Sequence, residues 1–210
     1  MTSLAFGGAS VDGDLYTTIT RLAHDTPHWV DTLIALWSDY GLALFAVLMV
    51  LAWWRARSGG EARMVRALAT PLIVVIVYAV DMVVKSAVAE KRPCQTLHVV
   101  TVEACPAAGD WSFPSNHAVI AGSAAMALAL TDRRLARIAA LAAVLMAASR
   151  VWIGVLSPPV VAVGLVLGAV LAWPLMILAD RGEPLVQRMA DTRLRGLVRG
   201  HDLVGGRGGA

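Results

Sequence analysis

Three short segments gather the residues of this chain suited to holding an anion the size of phosphate. The first is Lys85-Ser-Ala-Val-Ala-Glu-Lys-Arg92-Pro93. Lys85 and Arg92 are seven residues apart, two helical turns, so on a helix they share nearly one face. Two cations on one face suit an anion. The structural alternatives are snorkelling to lipid head groups and pairing of Lys85 with Asp81, four residues earlier. The second segment is Pro114-Ser115-Asn116-His117. Ser and Asn favour a helix start and Pro its first turn. Such a start presents free N–H groups to an anion, and His117 adds a proton donor. An ordinary capped helix with an interfacial histidine has the same pattern. The third is Ser149-Arg150, inside an apolar run. A guanidinium is shaped for two-point contact with phosphate; a carbonyl or carboxylate partner is the alternative.

The elements that must position these segments are membrane spans. The chain has 210 residues, 58% hydrophobic and 16% charged, with mean hydropathy +0.66. A soluble domain carries about 25% charged residues. Apolar runs occur at Tyr40–Trp54, Leu68–Val88, Ala118–Leu130, Leu135–Val155 and Val160–Leu178. They predict an all-α, polytopic transmembrane bundle of about five spans, with six possible, because lipid leaves backbone groups no partner outside the helix. His28–Ser38 reads either as an amphipathic lead-in, with Trp29 and Trp37 at the interface, or as part of a longer, tilted first span. Nothing in residues 1–27 reads as a signal peptide. The division expected is an acidic extracytoplasmic segment over 1–27, a membrane domain over 28–180, and a basic cytoplasmic tail over 181–210 that ends disordered.

Charge then orients the spans. Arg55, Arg57, Arg63 and Arg66 follow the first span, and Arg133, Arg134 and Arg137 follow the third. Arg181, Arg188, Arg193, Arg195, Arg199 and Arg207 occupy the tail. Thirteen of the 18 basic residues thus fall on one side, which the positive-inside rule makes cytoplasmic. Sorting by side explains the pI near 9.2 without nucleic acid. All three anion-suited segments then reach the outer face, and convergence on one site is the expectation. Cys94 and Cys105 share an outer loop; they are reduced bystanders or, in an oxidising compartment, a disulfide.

The pattern resembles the type-2 phosphatidic acid phosphatase family, related to the vanadium haloperoxidases. Its first motif, Lys, six residues, Arg-Pro, is matched by Lys85, Arg92 and Pro93. Its second, Pro-Ser-Gly/Asn-His, is matched by Pro114, Ser115, Asn116 and His117. Ser149 and Arg150 match the first half of the third, Ser-Arg, five residues, His, three residues, Asp. The resemblance implies an acid phosphatase/haloperoxidase-like core over most of residues 40–178. It implies phosphate ligands at Lys85, Arg92, Ser115, Asn116 and Arg150, a leaving-group acid at His117, and no metal or other cofactor. It also implies a phosphorylated lipid as ligand, of the phosphatidic acid, phosphatidylglycerol phosphate or polyprenyl diphosphate type. An outward site favours a carrier lipid such as undecaprenyl diphosphate.

The third motif then breaks. Where the family has its nucleophilic His this chain has Leu156, and where it has the supporting Asp this chain has Val160. Leu has no lone pair with which to attack phosphorus, and Val cannot orient a ring nitrogen. Three functions remain open. One is a lipid-phosphate binder or inactivated enzyme. Another is a hydrolase using water activated by His117, or His98 from the outer loop. The third is a structural or transport protein whose cations anchor head groups. His24 and His28 have helical spacing but lack further metal-ligand partners. The partners expected are a phosphorylated lipid and membrane lipids, and the sequence sets no oligomeric state.

Overall fold

The computed structural model describes residues 13–97, 101–107, 109–182 and 184. Helices α1 (Gly13–His24) and α2 (His28–Tyr40) lead into α3 (Leu42–Ala56). The long α4 (Glu61–Val88) is followed by the short α5 (Pro93–Leu97), then α6 (Asn116–Thr131), α7 (Arg133–Trp152) and α8 (Pro158–Ala179). A 3-10 turn, Asp180–Gly182, follows α8. There is no strand among the described residues.

Three stretches, Glu61–Leu97, Arg133–Trp152 and Pro158–Gly182, are long and apolar enough to cross a membrane. The pair α2 and α3 qualifies as a fourth, bent by 49°. The bend falls at Gly41, where a Cβ would overlap the Trp37 carbonyl and approach Met146 Cε to 2.7 Å. His28–Ser38 therefore lies in α2, which meets the apolar α3 through this bend. The fifth apolar segment, α6, has 16 residues, short of the roughly 20 that cross a bilayer. It is the central helix, packed against α8, α7, α4 and α3, and it runs from the end that carries Lys85 and Arg150 to the end that carries Arg66.

Small residues make that central position possible. A Cβ on Gly122 would overlap the carbonyl of Leu165, and one on Gly168 the carbonyl of Val119. The backbones of α6 and α8 thus nearly touch, the packing that small residues permit between helices in lipid. Large apolar side chains cover the opposite faces: Leu72 and Val75 on α4, Leu141 and Val144 on α7, and Val166 and Val170 on α8 are exposed. They face the surroundings as lipid-facing residues do.

The helix starts follow local chemistry. Ser157 precedes α8, with Pro at its first positions, where a missing N–H costs nothing. Asp132 caps α7, accepting from Arg134 N at 2.9 Å and Leu135 N at 3.3 Å. Arg55 Nε also donates to it, at 2.8 Å. Arg66 forks onto Asp180 at 2.7 and 2.9 Å and reaches the Leu130 carbonyl at 3.0 Å. Burial pushes the Asp132 carboxyl up, but the two backbone donors and Arg55 outweigh it and hold the group below its ordinary value.

The Asp132 carboxylate contributes stability above its unfolded-state pKa of about 4, and that stability is lost as pH falls through its depressed folded value. The unfolding midpoint in detergent should change little from about pH 7 to 5 and drop below about pH 4. Asp132→Ala should cost about 1–2 kcal/mol, the weight of an N-cap, and Asp132→Asn markedly less. Equal losses for the two variants in thermal unfolding would show that the cap is unimportant here.

Candidate functional site

The ends of four helices carry the site. Lys85 lies in the last turn of α4, and Ala89, at a left-handed φ of 49°, ends that helix. The chain turns there and presents Arg92 and Pro93 at the start of α5. Ser115 caps α6, accepting from Ala118 N at 3.4 Å, so Asn116 and His117 fall in the first turn. Ser149 and Arg150 lie in the last turn of α7. Lys85, Arg92 and Arg150 are within electrostatic range of one another, and His117 is within range of all three. The expected convergence therefore holds as geometry. Lys85, Arg92, Ser115 and Ser149 are buried, and Asn116, His117 and Arg150 half-buried.

Their hydrogen bonds show how each cation is held. Lys85 Nζ donates to the Trp111 carbonyl at 3.1 Å. Arg92 uses its whole fork: Nε to the Asp110 carbonyl at 3.1 Å, Nη2 to Asp110 Oδ1 at 2.9 Å, and Nη1 to the Val155 carbonyl at 3.1 Å. Arg150 Nη1 donates to Ser38 Oγ at 2.8 Å, while its buried Nε has no hydrogen-bond partner among the described residues. Among the described residues the buried Asn116 Oδ1 also lacks one. Lys85 makes no ion pair with Asp81, whose two carboxylate oxygens are buried without hydrogen-bond partners among the described residues.

The loop after α5 is cross-linked to that helix. Cys94 and Cys105 form a disulfide with Cα atoms 6.0 Å apart. Gln95 Nε2 donates to the Pro106 and Ala107 carbonyls at 2.9 and 3.2 Å. Glu103, in the same loop, interacts with Arg150; burial pushes its carboxyl up, and the arginine opposes that shift. Behind the site, Tyr16 Oη donates to the Gly154 carbonyl at 2.6 Å, and burial raises its phenol to about 12. Gly154 sits at φ +83°, where a side chain would also meet Thr101 Cγ2 at 2.5 Å. Trp152 Nε1 donates to Asp31 Oδ1 at 2.9 Å and ties α2 to α7.

Leu156 and Val160 are 3% and 5% exposed. They belong to an apolar cluster with Ala118, Ala147, Val151, Val155 and Val161, against which Ile34 and Phe113 pack. Ser157 is the N-cap of α8, so Leu156 stands just before the cap and Val161 four residues into the helix. Apolar residues at those two positions form a hydrophobic staple that fixes the entry angle of the chain. A structural task thus occupies the position of the family's nucleophile.

Asp110, Ser38, Tyr16 and Asp31 carried no sequence signal, because each meets its partner from a separate segment. His98 and the tail arginines Arg188, Arg193, Arg195, Arg199 and Arg207 lie outside the described residues. His24, His28 and Asp31 share a cavity of about 300 Å³ with Thr20, Thr26, Thr101 and Val102. No group of three ligands able to hold a metal occurs among the described residues.

The comparisons with known proteins bear on this geometry. The model of the PAP2 superfamily matches residues 63–182, and the chain belongs to that family. Its fold is similar to that of a transmembrane PAP2-type phosphatidylglycerolphosphate phosphatase from Bacillus subtilis, with TM-score 0.58 and 18% identity. That match covers 83% of this chain and 89% of the other. No curated protein sequence matches. The protein is thus a PAP2-family chain with apolar helices able to span a membrane. The disulfide settles one alternative that its sequence left open.

Proposed function

We propose that this protein binds the phosphate head group of a membrane lipid and does not hydrolyse it through a phosphohistidine. The observation that carries the reading is the burial of Leu156 and Val160 in an apolar cluster beside three cations. Lys85, Arg92 and Arg150 supply the charge, with the N-terminal turn of α6 and the side chains of Ser115 and Asn116 as further contacts. His117 stands where a leaving-group acid would, with no nucleophile opposite. Asp110 is the internal competitor: its side chain is 52% exposed and holds Arg92, so an incoming phosphate must displace it.

The lipid belongs to the class on which the family acts, phosphatidic acid, phosphatidylglycerol phosphate or a polyprenyl diphosphate. A site on the extracytoplasmic side, with the C-terminus cytoplasmic, is favoured by two observations. The disulfide lies in the loop beside the cations, and disulfides persist in oxidising compartments. The arginine-rich connections α3–α4 and α6–α7 lie at the other end of the bundle, as the positive-inside rule requires of a cytoplasmic face.

Purified protein in detergent should bind phosphatidic acid in preference to phosphatidylcholine and release no inorganic phosphate from it. Arg92→Gln and Arg150→Gln should each weaken binding by about 10- to 100-fold, the weight of one charge-assisted contact. Phosphate release above that of Lys85→Gln would overturn the reading. His117→Ala would then show whether activated water does the work.

A further inference from the structure

At the end of the bundle opposite Lys85, Arg92 and Arg150, a cavity of about 620 Å³ opens between the α3–α4 connection and the α6–α7 turn. That size falls within the range of small-ligand pockets, roughly 300–1,000 Å³. Arg55, Arg63, Arg66, Arg133 and Arg134 line it, against one carboxylate, Asp132. Arg55 is paired with Asp132 and Arg66 with Asp180. Arg63, Arg133 and Arg134 have no ion pair among the described residues. Charges that serve only to orient a membrane protein need no concave arrangement. Here they converge on a hollow, which focuses positive potential and favours an anion.

A second cavity, of about 440 Å³, is a groove among α6, α7 and α8 lined by Gly122, Met126, Ala140, Leu165 and Ala169, with Arg137 beside them. Ala129 lines both cavities. Trp53 and Trp54, directly before Arg55, give the depth: Trp54 is largely exposed, and Arg57 stacks over both rings at 5.4 and 5.0 Å. Aromatic rings of this kind sit at the head-group level of a bilayer.

We infer that this end of the bundle holds an anionic phospholipid, its phosphate among Arg63, Arg133 and Arg134 and one acyl chain in the groove past Ala129. Charge complementarity selects the head group. The adjoining apolar groove selects a lipid over a soluble phosphate, which would gain nothing from it. The site is separate from the one around Arg92 and does not depend on the reading of that site.

The test is titration of the full chain in detergent with phosphatidylglycerol, phosphatidylcholine and inorganic pyrophosphate, in a Lys85→Gln background that weakens the opposite site. Arg63→Gln and Arg134→Gln leave the Arg55–Asp132 and Arg66–Asp180 pairs intact. Each should weaken phosphatidylglycerol binding about tenfold. Ala140→Leu, which fills the groove, should weaken phosphatidylglycerol about threefold and leave pyrophosphate unchanged. Arg181→Gln, exposed at the same end but outside the cavity, should stay within about twofold. The inference is overturned if Arg181→Gln loses as much as Arg63→Gln, which would make the attraction diffuse. It is also overturned if the cavity variants bind like the parent, or if Ala140→Leu leaves phosphatidylglycerol binding untouched while pyrophosphate binds as well as the lipid. Unfolding midpoints measured on each variant separate lost binding from lost fold.

Discussion

The double variant Leu156→His, Val160→Asp is expected to release inorganic phosphate from phosphatidic acid or a polyprenyl diphosphate, while the unaltered chain releases none. Residue 156 follows Val155, whose carbonyl accepts from Arg92 Nη1 at 3.1 Å, so an imidazole there starts from a backbone already fixed to a cation of the site. Residue 160 is the third residue of α8, after the Ser157 cap. A carboxylate at that position completes a Ser-x-x-Asp arrangement and favours the positive end of the helix dipole. The Val160→Asp change thus brings its own compensation. Leu156→His does not: it removes the staple to Val161 and gives up about 1.5–3 kcal/mol of apolar burial.

The double variant should therefore unfold at a lower temperature than the parent yet turn over at least about 100-fold above background, the low end of what His117 contributes as a proton donor once a nucleophile stands opposite it. Val160→Asp alone should remain inactive, since it supplies an orienting group with nothing to orient. If the double variant folds and is inert, Lys85, Arg92 and Arg150 are not arranged for phosphoryl transfer. The reading of this chain as a phosphatase scaffold lacking its nucleophile would then fall.

Gly168→Leu is expected to abolish the folded bundle. A Cβ at Gly168 meets not only the Val119 carbonyl but also Ser123 N at 2.9 Å. These are backbone atoms of the central helix, which packs on four neighbours and cannot shift alone. Overpacking a well-filled interior costs about 1–3 kcal/mol and occasionally more; an obstacle made of backbone belongs at or above the top of that range. Gly168→Ala should lower the unfolding midpoint clearly, and Gly168→Leu should yield no monodisperse protein. Gly60→Ala is the control, with nothing within 4 Å of its added Cβ, and should behave as the parent. The consequence reaches the site as well: one turn earlier, a Cβ on Gly164 would lie 3.1 Å from the Ser115 carbonyl. Separation of α8 from α6 would thus pull the Ser115–His117 turn away from the start of α8, where Val160 stands. A Gly168→Ala protein as stable as the parent would show that this close approach is not what holds the bundle together.

Some of this was legible in the residues alone because it depends only on short-range geometry. Ser115 to His117 are consecutive, and Lys85 and Arg92 are seven residues apart, but α4 ends at Val88 and the chain turns at Ala89, so the two cations do not share a helix face as their spacing predicts. The replacement of His by Leu156 and of Asp by Val160 is visible by counting from Arg150. The helical class follows from the length of the apolar runs, since lipid offers the backbone no alternative partner.

What the tertiary structure alone decided are the contacts between segments far apart in sequence. Ser38 and Arg150 are 112 residues apart, Asp31 and Trp152 121, and Tyr16 and Gly154 138. No spacing rule connects such residues; only the packing of α1 and α2 on the end of α7 brings them together. The capture of Arg92 by Asp110, the bend at Gly41 and the burial of the Asp81 carboxylate without a hydrogen-bond partner among the described residues have the same origin. Each depends on which surfaces the bundle presses together, and periodicity along one chain segment carries no information about the surface that will face it.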